Sequence, residues 1–187
     1  MSYWKTIAEA IFARFFSALH PFLQAAVDGN GEKIKSMLRR FPDLVQIRDE
    51  EYGSTALHKA ASWGRAGVAA ILLAHGSQVD ALDNEGMTPL HRAAEEGHSD
   101  VAAVLLSRHA QVDATDHEGL TPLHRAARAG HVDVAKVLLA RGANVNAVDN
   151  YGMSPLRWVE DVGTGFSEPR SFEDMTDLLR RHRARAE

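Results

Sequence analysis

Ten histidines in a chain with no cysteine are the first residues that could do chemistry here. Imidazole nitrogens bind zinc and move protons near neutral pH. His58, His91 and His124 recur 33 residues apart, and His98 and His131 repeat with the same interval just after a glycine. Such spacing puts them at equivalent points of successive structural units, about 10 Å apart, whereas zinc draws every ligand to ~2.1 Å. Rungs of that ladder cannot share one ion. His20, His75, His109, His117 and His182 show no ligand spacing. No metal site and no cofactor is expected.

Catalytic patterns fare no better. The chain has no Gly-x-Ser-x-Gly elbow, no phosphate-binding glycine loop followed by lysine, and no His-Glu-x-x-His. Carboxylate groups such as Glu95-Glu96 and Asp49-Glu50-Glu51 are present. Acid–base work would need a pocket that desolvates one member of the pair, and such groups are common on solvated helix ends and turns. The expectation is that the protein is not an enzyme.

The elements that must position these residues follow from composition and repetition. Of 187 residues, 45% are hydrophobic and 25% charged, and the net charge is −4, a balance unsuited to general nucleic-acid binding. No run approaches the ~18 apolar residues of a membrane span, and Glu9 and Arg14 interrupt the Ile7–Leu19 stretch, so neither membrane insertion nor a cleaved signal peptide is expected. Without cysteine the chain suits a reducing, cytoplasmic setting. The basic run Arg180-Arg181-His182-Arg183-Ala184-Arg185 could touch an acidic partner, but cations at a helix C-terminus also complement the helix dipole and keep the last helix soluble.

The chain matches itself at a shift of 33. Ser54-Thr55-Ala56-Leu57-His58, Thr88-Pro89-Leu90-His91 and Thr121-Pro122-Leu123-His124 fall into register, with Ser154-Pro155-Leu156-Arg157 as a degenerate copy. Gly64, Gly97, Gly130 and Gly163 keep the same interval, as do Gly86, Gly119 and Gly152. A period of this size means a stacked array. Within one unit, Thr88-Pro89 reads as an N-cap with proline at the first helical position, and Leu90, Ala93 and Ala94 form one apolar side. Gly97 ends that helix; Val101, Val104 and Leu105 stripe a second; Asp83-Asn84-Glu85-Gly86 makes a tight polar tip. One unit cannot bury its own apolar faces, so units must stack.

On these residues the chain resembles the ankyrin repeat family over about residues 20 to 182, most cleanly over 54 to 152. The resemblance implies an all-α solenoid of helix-turn-helix units joined by β-hairpin-like loops. It also implies that His58, His91 and His124 are structural, tying a helix start to adjacent loop backbone. The reading is a single domain over 1–187: a capping helix at 1–19, repeats at 20–53, 54–86, 87–119 and 120–152, and a C-terminal capping repeat at 153–187. The first repeat carries two extra residues, placed between Phe41 and Tyr52, and the last an eight-residue insertion around Thr164 to Ser171. Trp4, Ile7, Ala8, Ile11, Phe12, Phe15 and Leu19 form an apolar face suited to a lid on the first repeat; a membrane-surface helix would carry more Lys and Arg than Lys5 and Arg14.

Family likeness further implies a protein partner of unknown identity held along the concave groove by a monomeric chain, with no nucleic acid and no membrane. The candidate contact residues are Tyr52, Trp63, Asn84, Glu85, Met87, Glu95, Glu96, His117, Glu118, Leu120, Arg128, Asn150, Tyr151 and Met153, with Leu82 and Val148 in a wider patch. Tyr52, Trp63, Met87, Leu120, Tyr151 and Met153 stand out as large apolar groups where exposure would favour polar ones, and at least half should be exposed. Charges around them lean acidic, which suits a partner with basic side chains. A regulatory role, occluding an enzyme, and binding of a small molecule or metal in the groove or the insertion are the alternatives. Three departures stand out: His109 occupies the place of Gly76 and Gly142, Arg157 that of the recurrent histidine, and Trp158 that of a small polar stem.

Overall fold

Three threonines start the regular units. Thr55, Thr88 and Thr121 accept the amides of His58, His91 and His124 on their hydroxyl oxygens at 3.3–3.4 Å, and each histidine Nδ1 accepts the threonine's own amide at 3.1–3.2 Å. These reciprocal caps satisfy two of the amides that a helix start leaves unpaired. Pro89 and Pro122 sit at the first helical position, where a missing N–H costs nothing.

The computed structural model describes residues 18–162 and 170–186. It contains ten helices among those residues, arranged as five pairs: α1 (18–28) and α2 (Gly31–Arg40), α3 (Ala56–Ser62) and α4 (Ala66–Ala74), α5 (Pro89–Glu95) and α6 (Ser99–Ser107), α7 (Pro122–Ala129) and α8 (Val132–Ala140), and α9 (Pro155–Val162) and α10 (Arg170–Ala186). First helices pack on one another in the order α3, α5, α7, α9, and second helices in the order α2, α4, α6, α8, α10. The fold is therefore an all-α solenoid. Its core runs unbroken through the stack, with Leu57, Ala60 and Ala61 repeated as Leu90, Ala93 and Ala94 and as Leu123, Ala126 and Ala127, all fully buried. Alanine at two of every three such positions lets successive first helices approach closely. Met175 and Leu179 of α10 are buried as Val134 and Leu138 of α8 are.

Loops between pairs contain no strand among the described residues; one isolated antiparallel bridge, Arg48 to Thr55, marks the first tip. The extra residues expected between Phe41 and Tyr52 coincide with a 3-10 turn, Pro42–Gln46, that buries Leu44 and Val45 under the first repeat. The expected lid at 1–19 lies outside the described residues except for its last two positions, and so does the insertion except for its end at Arg170 and Ser171.

His109 has φ +64°, where its register mates Gly76 and Gly142 have +90° and +85°. It is the one non-glycine residue with positive φ among the described residues. A side chain there costs about 1 kcal/mol. His109→Gly should accordingly raise the melting temperature by roughly 2–4 °C for a chain of this size. A fall in melting temperature would mean that the exposed imidazole makes a compensating contact.

Candidate functional site

Four aspartates, one per unit, build the tips. Asp83 Oδ1 accepts the amides of Glu85 and Met87 at 2.9 and 3.0 Å, and Asp116 Oδ1 those of Glu118 and Leu120 at the same distances. Asp49 takes the amides of Tyr52 and Ser54, and Asp149 those of Tyr151 and Met153. The second oxygen then reaches the first helix: Asp49 to Lys59, Asp83 to Arg92, Asp116 to Arg125 and Asp149 to the Trp158 indole, all at 2.6–3.0 Å. Burial alone would push the Asp83 carboxyl up, but Arg92 and the Met87 amide outweigh it and hold the group below the usual carboxylate range. The same balance keeps Asp49 low, through Lys59 and two amides, and Asp149 low, through two amides and Trp158. Trp158 thus stands in register with Lys59, Arg92 and Arg125, which are long cations and not the small polar stem expected from the sequence.

Each tip is bonded to its neighbour. The amides of Asn84, His117 and Asn150 donate to the carbonyls of Tyr52, Glu85 and Glu118 at 2.9–3.2 Å. Gly53, Gly86 and Gly119 have positive φ, and a β-carbon on them would meet Asn84, His117 and Asn150 within 2.3–2.5 Å. These three side chains, expected as partner contacts, therefore cover the preceding tip's glycine as well as facing solvent. The side-chain amides of Asn84 and Asn150 also donate to the carbonyls of Glu51 and His117.

The recurrent histidines complete the joint between units. His58, His91 and His124 direct Nε2 at the carbonyls of Met87, Leu120 and Met153 in the next unit, each at 3.0 Å. Because Nδ1 accepts the threonine amide, the proton sits on Nε2 and the ring is neutral. Burial is the main force lowering all three imidazoles, and His58 falls to about 4. His98 and His131 donate from Nε2 to the carbonyls of Ser62 and Glu95 in the preceding unit. No group of three or more His, Asp or Glu side chains among the described residues is arranged to hold a metal ion. No helix among them is long and apolar enough to cross a membrane.

The expected contact residues separate into three groups. Tyr52, Trp63 and Tyr151 are exposed at 47%, 53% and 70%, joined by Leu82 at 48% and Val148 at 63%. Glu85, Glu96, Glu118 and Arg128 are also exposed or partly so. Met153 and Glu95 are half-buried, with the Glu95 carboxylate between Arg92 and Arg125 at 3.3 and 3.2 Å. Met87 and Leu120 are buried, which corrects the expectation that they face a partner. The Met87 carbonyl accepts both Asp83 N and His58 Nε2 while its amide is held by Asp83 Oδ1, and Leu120 is fixed in the same way by Asp116 and His91. Met153, with the same backbone bonds at the last tip, is only half-buried, so it is the packing of the neighbouring unit that covers Met87 and Leu120. The aspartate anchors escape a reading of the sequence for functional residues; their recurrence at 49, 83, 116 and 149 is the signal that carries them.

Two clefts lie along the tips and first helices. A cleft of about 630 Å³ between α1, the first tip and α3 is lined by Leu23, Gln24, Glu50, Glu51, Lys59 and Trp63, among others. Tyr52 lies beneath the Lys59 ammonium, 5.1 Å from its ring centre, and the neighbouring Glu51 carboxylate pushes the phenol pKa up. A second cleft, about 360 Å³, lies among Asn84, Glu85, His117, Glu118, Arg125 and Arg128. Beyond it Arg128 covers the Trp158 ring at 5.8 Å. Tips and first helices thus carry a trough of two polar clefts, with Trp63 lining the first and the Trp158 ring beside the second.

Comparison with known proteins bears on the repeat directly. A family model described as ankyrin repeats (3 copies) matches residues 22–116, and one described as ankyrin repeat matches residues 118–150. The FYVE zinc finger domain protein UPA1 of Mycosarcoma maydis is 40% identical over 60 residues, which is 32% of this chain. The matched stretch is 5% of that protein's length. Repeats of this kind generally mediate protein–protein interaction and are generally non-catalytic.

Proposed function

We propose that this chain, which belongs to the ankyrin repeat family, is a non-catalytic scaffold that holds a protein partner along the trough of tips and first helices. The observation that carries the reading is the exposure of Tyr52, Trp63 and Tyr151, at two tips and the end of a first helix, on a scaffold whose other large apolar groups are mostly buried. Large aromatic groups in water cost little to desolvate further and dominate binding energy when a partner covers them. The tip-to-tip backbone bonds and the histidine joints support it as well, since a surface already rigid loses little entropy on binding.

Affinity capture tests the reading, with the wild-type chain beside a Tyr52→Ala/Trp63→Ala/Tyr151→Ala variant. Circular dichroism should show the variant fully folded, because none of the three side chains is in the core. A protein recovered by the wild type and lost by the variant is the expected result. Equal recovery by both would move the site to another face and overturn the proposal.

A further inference from the structure

We infer that the trough receives an extended segment of a partner protein, about ten residues long, with arginine or lysine in its middle and an apolar or aromatic side chain near each end. This rests on the partner-binding reading above and adds the partner's chemistry. The first argument is charge. By sequence the charges around the contact residues lean acidic, with Arg92 and Arg125 adjacent on the first helices. In the structure each is held by an inward aspartate, Asp83 or Asp116, whose carboxylate is wholly shielded from solvent. Lys59 is held in the same way by Asp49 at 2.7 Å. Arg92 also reaches Glu85 and Glu95, and Arg125 also reaches Glu95 and Glu118, at 3.2–3.6 Å, so these two guanidiniums stand among five carboxylates and, with Glu96 against Arg128, the middle repeats keep an acidic excess. Such a surface attracts cationic side chains and repels phosphates, so a nucleic acid is the wrong occupant.

The second argument is the placing of the apolar groups. Tyr52 and Trp63 stand at the first tip and α3, and Tyr151 at the fourth tip; the acidic stretch lies between them. Three repeat intervals of about 10 Å separate the outer tips, roughly 30 Å in all. An extended chain covers that span in about nine or ten residues at ~3.3 Å each, whereas a helix would need about twenty. The backbone bonds between tips keep the interval fixed, so the anchors of a partner segment must match it.

The test is selection of random sixteen-residue peptides displayed on phage against the full chain, at low and at physiological salt. Enriched peptides should carry at least two Arg or Lys between apolar residues about nine positions apart. Their affinity should fall with added salt and drop on the order of tenfold for a Glu96→Lys/Glu118→Lys variant, and similarly for Tyr151→Ala. Both glutamates are exposed, so circular dichroism of the charge-reversed chain should be unchanged. Enrichment of acidic peptides, of uniformly apolar ones, or of residues at helical three-four spacing overturns the inference. If those other peptides still lose binding to the triple aromatic variant, the partner chemistry fails while the trough stands as the site. Peptides that bind that variant as well as the wild type overturn both. Absence of any enrichment overturns the short-segment inference, and the capture experiment then decides the trough by itself.

Discussion

His91→Ala should destabilise the chain by about 3 kcal/mol, the sum of one stranded backbone amide, one lost hydrogen bond to a carbonyl and a side-chain void. The imidazole accepts the Thr88 amide on Nδ1 and donates from Nε2 to the Leu120 carbonyl, and the ring has no exposed surface. Alanine leaves that amide buried without a partner and takes from the Leu120 carbonyl one of its two donors, the Asp116 amide remaining. The Leu120 carbonyl belongs to the next unit, so the loss also weakens the coupling between repeats. Urea denaturation should show a lower midpoint and, if the two halves uncouple, a shallower slope. Arg157→Ala is the internal control: it occupies the same register in the last unit, is exposed, and should change stability by no more than about 0.5 kcal/mol. A loss below about 1 kcal/mol for His91→Ala would show that the joint is not where the repeats are held.

Acidification should weaken the same joint. An imidazole whose folded pKa lies below its unfolded value of 6.5 stays neutral in the fold while the unfolded chain takes up a proton. Stability from His58 is therefore fully present above pH 6.5, falls as pH drops toward about 4, and is flat below that. Over pH 7.5 to 4.5 this amounts to about 2–3 kcal/mol for His58 alone. His91 and His124 act in the same direction, since burial lowers both. Protonating Nδ1 would also set an N–H against the threonine amide it now accepts. The aspartate anchors work in a separate window: Asp49, Asp83 and Asp149 are held below 3.8, so their contribution is lost only as pH falls further. Urea titrations at pH 7.5, 6 and 4.5, with imidazole proton shifts followed by NMR, would check both. A stability independent of pH between 7.5 and 4.5 would refute the assignment of neutral, buried rings.

Most of the architecture is legible in the amino-acid order alone. The interval of 33, the Thr-Pro-Leu-His starts and the glycines specify the helix pairs and the stacking order, because each feature acts within a few residues of its own position. Proline at the first turn, a hydroxyl cap and a left-handed glycine need no distant partner to be effective. The same locality makes the strained place of His109 readable from its register mates. Met87 and Leu120 mislead for the opposite reason. Their neighbours in sequence are tip residues, yet each side chain is buried where one unit packs on the next, while Met153 at the last tip is only half-buried.

The charge of the trough is only partly legible for a related reason. Sequence shows that the charges lean acidic with Arg92 and Arg125 adjacent, but not which carboxylate each cation meets. The fold shows that each guanidinium is held from below by a shielded aspartate nine residues earlier in the chain. What the sequence by itself determined is the repeated unit, its caps and its stacking, since near-identical local signals solve the same packing problem three times over. Tertiary structure alone decided which tip residues meet water and which carboxylates gather around each cation, because those depend on packing and ion pairs between residues distant in the chain, several of them in neighbouring units.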